Sequence, residues 1–255
     1  MSVTERTAAA CVALLAALAV VASPVVAQPA PGAASSFVIV HGAWGGGWAW
    51  QKVDRMLRAR GHEVYRPTLT GLGERVHLAN TTIGLDTHID DVVNVLIYED
   101  LRDVVLVGHS YGGMVITGVA DRAPDRIRRL IYLDAFVPND GESLMAITGG
   151  GGWLKQMTQG DFVVPAWVKP DQPLPHDVPH PLKTLKDPLI LRNKSAKPIP
   201  TTYILTIDPG KTEDGFSAQA ERAKKRGWTV LQMTADHNPH MTKTDELVPL
   251  LERQQ

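Results

Sequence analysis

Val104-Val105-Leu106-Val107-Gly108-His109-Ser110-Tyr111-Gly112-Gly113 is the stretch that decides how the rest of this chain is read. Four apolar, mostly β-branched residues predict a strand buried on both faces. Met114, Val115, Ile116, Val119 and Ala120 are apolar nearly all round a helix expected from Tyr111 to Ala123, as in a helix packed on a sheet. Ser110 therefore stands in a strand-to-helix elbow, where glycines at 108 and 112 let strand and helix approach closely. Such a turn strains the serine and lifts its hydroxyl to the C-terminal edge of the sheet. The helix N-terminus behind it offers unpaired N–H groups where negative charge would develop during attack on a carbonyl.

The composition, 255 residues with 44% hydrophobic, 21% charged and a formal net charge of −1, suits a large α/β domain. So even a charge balance gives no electrostatic reason to expect nucleic acid or an anionic membrane surface as a partner. Residues 1–27 read as a signal peptide. Arg6 precedes an uncharged run from Ala8 to Ala22, and Val25-Val26-Ala27 offers small residues for cleavage. That run is shorter than the ~20 apolar residues a membrane span needs. Residues 28–36, rich in Pro, Ala and Ser, form a linker to a domain at 37–255. The single cysteine, Cys11, lies inside the leader. The expected mature chain thus has no disulfide, and its place is secreted or periplasmic with no stable membrane association.

The strand Phe37 to Val40 runs into His41-Gly42-Ala43-Trp44-Gly45-Gly46-Gly47-Trp48. So many glycines after a strand indicate backbone at close quarters with a ligand. The spacing matches neither a phosphate cradle nor a dinucleotide fingerprint. Further elements are a helix from Trp48 to Arg60, a strand from Glu63 to Leu69 and a helix from Asp86 to Glu99 whose His88 reads as a surface residue. A strand from Arg129 to Ala135 follows the elbow helix. Residues 137–200 change character, with prolines, glycines and the aromatic residues Trp153, Phe162 and Trp167, and predict a cap over Ser110. The alternation then resumes with a strand Thr201 to Ile207, a helix Phe216 to Arg226, a strand Thr229 to Thr234 and a closing helix Asp245 to Glu252. Strands alternating with helices predict a mostly parallel sheet covered on both faces.

A serine hydroxyl becomes a nucleophile when an imidazole, itself oriented by a carboxylate, takes its proton. Both partners should come from loops at the C-terminal edge of the sheet. His237 follows the strand Thr229 to Thr234 and is preferred as base over His240, which lies farther from the strand end. Asp208 follows the strand Thr201 to Ile207 and is preferred as acid over Asp134 on topology, with Asp214 behind both. His109 is expected to point into the fold, and His62, His176 and His180 carry no functional reading. Oxyanion donors are expected from the N–H groups of Tyr111 and of Ala43 in the glycine-rich turn. Gly42, Trp44, Trp153 and Trp167 are expected to contact substrate. Scattered histidines and no His-Glu-x-x-His give no metal site, and no cofactor is expected.

From Phe37 onward the chain resembles the α/β hydrolases that include plant hydroxynitrile lyases, plant methyl esterases and related bacterial esterases. The likeness rests on His41 to Trp44 with Trp48 and Trp50, on Gly108 to Met114, on Thr206 to Asp208 and on Ala235 to His237. It implies an α/β-hydrolase fold with a cap inserted after the sixth-type strand, and triad roles for Ser110, Asp208 and His237. Lyases of this family that use the triad carry a threonine in the oxyanion turn and a lysine after the histidine. Gly42 and Asn238 stand at those positions. The resemblance therefore implies an esterase; with the leader and the aromatic cap residues Trp153 and Trp167 the expectation is an exported serine carboxylesterase acting on small apolar or aromatic esters, with monomer and homodimer both open. Lactone hydrolysis, cyanohydrin cleavage and small-ligand binding without turnover are the alternatives.

Overall fold

The computed structural model describes residues 34–193 and 197–255. The expected signal peptide and most of the linker lie outside the described residues. Strand β1 (Ser36–Val40) begins at the last residue of that linker. Strands β2 (Glu63–Tyr65), β3 (Val104–His109) and β4 (Ile127–Leu133) complete the first half of a sheet. Their order is β2-β1-β3-β4, and every pairing is parallel.

Alternation along the strands explains why both faces need cover. Val38, Val40, Val104 and Leu106 project to one side, against helices α2 (Leu85–Tyr98) and α3 (Gly112–Arg122). Phe37, Ile39, Val105 and Val107 project to the other, against α1 (Gln51–Ala59). Each such fully buried side chain contributes about 2 kcal/mol, so β1 and β3 are held centrally by their own sequence. The strand expected to run to Leu69 ends at Tyr65, because Pro67 has no N–H for the ladder and Arg66 turns back to donate to Gly47 O and Asp54. The fourth strand starts and stops two residues earlier than expected, since Asp134 leaves it at φ +43°.

Residues between β4 and the next sheet strand form the cap. It is built from short pieces: helices α4 (Leu144–Ile147) and α5 (Gly152–Met157), the antiparallel strands β5 (Thr158–Gln159), β6 (Phe162–Val163) and β7 (His180–Pro181), and helix α6 (Leu182–Lys186). The sheet then continues with β8 (Thr201–Ile207) beside β4 and β9 (Thr229–Thr234) at the edge, joined by α7 (Ser217–Lys225). A short helix α8 (Pro239–Thr242), not expected from the sequence, precedes α9 (Thr244–Glu252), whose Leu247, Val248 and Leu251 join the α1 face.

Candidate active site

Five non-glycine residues among those described have positive φ, and three of them, Trp44 (+64°), Ser110 (+54°) and Asp134 (+43°), follow the C-terminal ends of β1, β3 and β4. Backbone strain of this kind costs of order 1–3 kcal/mol per residue and clusters at functional sites. At the elbow, a Cβ on Gly108 would lie 2.8 Å from Gly112 O, and one on Gly112 would lie 2.6 Å from Val40 O. The two glycines flanking the serine are thus required by contact, as their spacing suggested. Ser110 is half-buried and lines a cavity of about 390 Å³.

His237 lines the same cavity from the loop after β9. Its Nδ1–H donates to Oδ2 of Asp134 at 2.6 Å. The carboxylate is fully buried, and its Oδ1 accepts the Thr206 N–H at 3.0 Å. Burial pushes the Asp134 carboxyl above the usual range, against the opposing pull of His237 and Thr206. Asp134 reaches His237 across the end of β8. The backbone beside it is tied to the elbow, since Ser110 N–H donates to Leu133 O and Ser110 O accepts from Phe136 N–H.

Asp208, expected as the acid, is not beside the imidazole. Its carboxylate is a third exposed and pairs with Lys211 at 2.5 Å, and its carbonyl accepts the Lys211 N–H, so the residue closes a surface turn. Asp134 already holds both the Thr206 amide and the imidazole, which leaves no place for a second carboxylate at Nδ1. Asp214, the other rival, accepts the Phe216 N–H at 2.7 Å at the start of α7. His240 is buried, stacked on Trp50 at 4.3 Å and absent from the cavity wall. His109 points into the fold as expected, and its Nε2–H donates to His237 O at 2.8 Å, fixing the backbone of His237.

Ala43 and Tyr111 both line the cavity. Neither backbone N–H has an acceptor among the described residues. Trp44, Trp153 and Trp167 line the wall, with Trp44 in ring contact with both of the others. Gly42, expected to contact substrate, is not on the cavity wall: it is buried behind Ser110, where a Cβ would lie 3.1 Å from Ser110 Cβ. Residues the sequence reading missed complete the wall: Phe136, Leu144, Thr148, Leu154, Leu185, Gly215 and Phe216. Phe216 stacks on the His237 ring at 4.7 Å with an interplanar angle of 10°. Nothing in the local pattern around these residues marked them as wall.

Two further histidines near the site, His88 and His41, are buried. His88, taken for a surface residue, is fully buried. Its Nδ1 accepts from the Tyr111 hydroxyl at 2.9 Å and its Nε2–H donates to Thr70 O. His41 accepts the Leu69 N–H and donates to Gly42 O. Burial pushes both imidazoles down to about 4. Among the described residues no cluster of three or more metal-ligating side chains is present.

A strained serine, two free amides and an imidazole held by a buried carboxylate can together perform acyl transfer. The alpha/beta hydrolase family matches the chain over residues 37–250. The carbendazim hydrolyzing esterase of Nocardioides sp. (strain SG-4G) is 39% identical over 238 residues, covering 85% of this chain and 98% of that protein. Methylesterase 2 of Arabidopsis thaliana is 36% identical over 109 residues, 42% of this chain and 41% of its own. Among solved structures, an extracellular alpha/beta-hydrolase from a Paenibacillus species superimposes with a TM-score of 0.73 at 24% identity, covering 86% of this chain and 98% of its own. The chain belongs to the alpha/beta hydrolase family. Within it, the protein is an ester hydrolase.

Proposed function

We propose that this protein hydrolyses small apolar or aromatic carboxylic esters through a Ser110-His237-Asp134 triad. Ser110 Oγ bonds to the ester carbonyl carbon while His237 Nε2 takes the hydroxyl proton. Asp134 holds the imidazole and balances its charge, and the N–H groups of Ala43 and Tyr111 receive the oxyanion. Collapse of the tetrahedral adduct breaks the bond to the alcohol, which leaves with the proton from Nε2. Water, deprotonated by the same nitrogen, then attacks the acyl-serine and releases the acid.

One observation carries this reading: the 2.6 Å bond from His237 to a buried Asp134, in a loop that shares its cavity with Ser110. The substrate class is supported by the aromatic and aliphatic wall and by a volume of about 390 Å³, which suits a compact molecule. Carbendazim is a natural member of the substrate panel, given the name of the Nocardioides relative. Export is supported by the uncharged run from Ala8 to Ala22 and the small residues before Gln28.

The experiment is release of p-nitrophenol from short-chain and benzoyl esters by the purified protein. Turnover with an initial burst, abolished in Ser110→Ala, is the expected result. Equal release by the variant overturns the proposal. After cell fractionation the protein should lie outside the cytoplasm with Gln28 as its first residue; retention in the cytoplasm would remove the export step, and an intact Met1 on exported protein would remove the cleavage.

A further inference from the structure

Trp44 is where the oxyanion turn meets the cap, and it is held by three hydrogen bonds. Its Nε1–H donates to Val163 O at 2.9 Å, and its carbonyl accepts the Val178 N–H at 2.9 Å. Its own N–H donates to Nδ1 of His180 at 3.2 Å. A backbone amide can only donate, so Nδ1 is the bare nitrogen of that ring and the proton sits on Nε2. The Nε2–H has its acceptor too: Thr184 Oγ1 at 2.6 Å, whose own hydroxyl donates to Pro181 O at 2.8 Å. Every proton on this path has one place to go. The ring is fully buried and edge-on to Tyr111, whose N–H is the other free amide of the cavity.

We propose that His180, a residue of the cap, is a positioning residue for acyl transfer: by accepting the Trp44 N–H it holds the turn at φ +64° and so aims the preceding Ala43 amide at the oxyanion. The inference rests on the esterase reading above. It follows because Trp44 is not a glycine. A tryptophan at positive φ returns to ordinary backbone unless something over-determines it. A rotation at residue 44 displaces the Ala43–Trp44 peptide and, through Ala43 Cα, the Ala43 N–H one peptide before it, and oxyanion donors lose their effect with displacements of about 1 Å. Burial keeps the imidazole well below its ordinary range, so the acceptor stays available at neutral pH. Cap and oxyanion turn are in this sense one mechanical unit.

The test compares His180→Phe, which removes the acceptor, with His180→Asn, whose Oδ1 stands where Nδ1 was. In His180→Phe, kcat for p-nitrophenyl butyrate falls about tenfold to a hundredfold, with KM within about twofold. The inhibition constant of an aryl trifluoromethyl ketone, which forms the tetrahedral adduct, rises by the same factor. His180→Asn recovers most of both. Wild-type kcat in His180→Phe, or equal damage in the two variants, overturns the proposal. Thr184→Val, which strips the partner from Nε2–H, gives a second route if His180→Phe does not fold, and unchanged kcat there overturns it as well. Amide exchange of Trp44 in 15N-tryptophan-labelled protein reads the bond without activity: protection falls in His180→Phe and returns in His180→Asn, and equal exchange in all three proteins overturns it. A wild type with no ester turnover would sink the esterase reading instead, while the exchange result would still stand by itself.

Discussion

The imidazole of His237 is tied to Asp134, at the end of β4, and not to any carboxylate at the end of β8. Asp134→Asn keeps the shape of the site but offers an amide to Nδ1, which favours the wrong tautomer. We expect kcat to fall by about 10⁴-fold. Asp208→Asn removes an exposed pairing with Lys211, worth well under about 1 kcal/mol, and should leave kcat within about threefold. Steady-state kinetics on the two variants decide it; the reverse ranking would return the acid role to Asp208.

The elbow also makes a stability prediction. A Cβ on Gly113 would lie 2.1 Å from Phe136 O, a backbone atom that cannot swing aside. Alanine would gain about 1 kcal/mol of helix propensity, but overpacking costs up to about 3 kcal/mol, so sterics win. Gly113→Ala should melt about 4–8 °C lower. Gly152→Ala, whose Cβ enters open space, should melt at the wild-type temperature or above. Calorimetry on both checks the difference.

Buried neutral histidines predict acid sensitivity of the fold. His41 and His88 are pushed down to about 4 and His240 to about 3, chiefly by burial. In the unfolded chain each takes its proton near 6.5, so the unfolded state binds protons first as pH falls. Stability is therefore full above about pH 6.5 and declines from there toward pH 4. A shift from 6.5 to about 4 corresponds to about 3 kcal/mol per group. Urea unfolding at pH 7, 6, 5 and 4 should show a steadily falling midpoint; a flat profile would contradict the burial of these rings.

Phe216 lies flat on His237 and also walls the cavity. Stacking of this kind is worth about 1 kcal/mol, so Phe216→Ala should lower kcat about fivefold by loosening the imidazole. Phe216→Tyr, which keeps the ring, should lose less than about twofold. Equal losses would mean that volume and not stacking is at issue.

The layered parallel sheet was legible because its signals are local. Apolar runs such as Val104 to Val107 predict buried strands, and the bounds of β8 and β9 match the sequence reading residue for residue. That Ser110 and His237 share one cavity was legible for the same reason, each lying at or just beyond a strand end. The carboxylate that meets His237 was not, because Asp134 and Asp208 both end strands and the choice depends on which of them Thr206 and His237 meet in space. Gly42 was misassigned through its neighbourhood: it borders Ser110 from behind, not from the cavity. The wall residues Phe136, Leu144 and Phe216 carry no local mark, since an apolar side chain reads the same whether it faces core or substrate. His88 was misread because one buried histidine on an amphipathic helix shows no periodicity of its own.

The seam at Trp44 bears on how such an enzyme can diversify. A roof transplanted from a relative would need a carbonyl in place of that of Val163, an amide like that of Val178 and a bare nitrogen like that of His180, all in register with one tryptophan. Whole-roof exchange is therefore a poor route to new selectivity. Point replacement at Trp153 or Trp167, which face the cavity without forming the seam, leaves the machinery intact while reshaping what it admits.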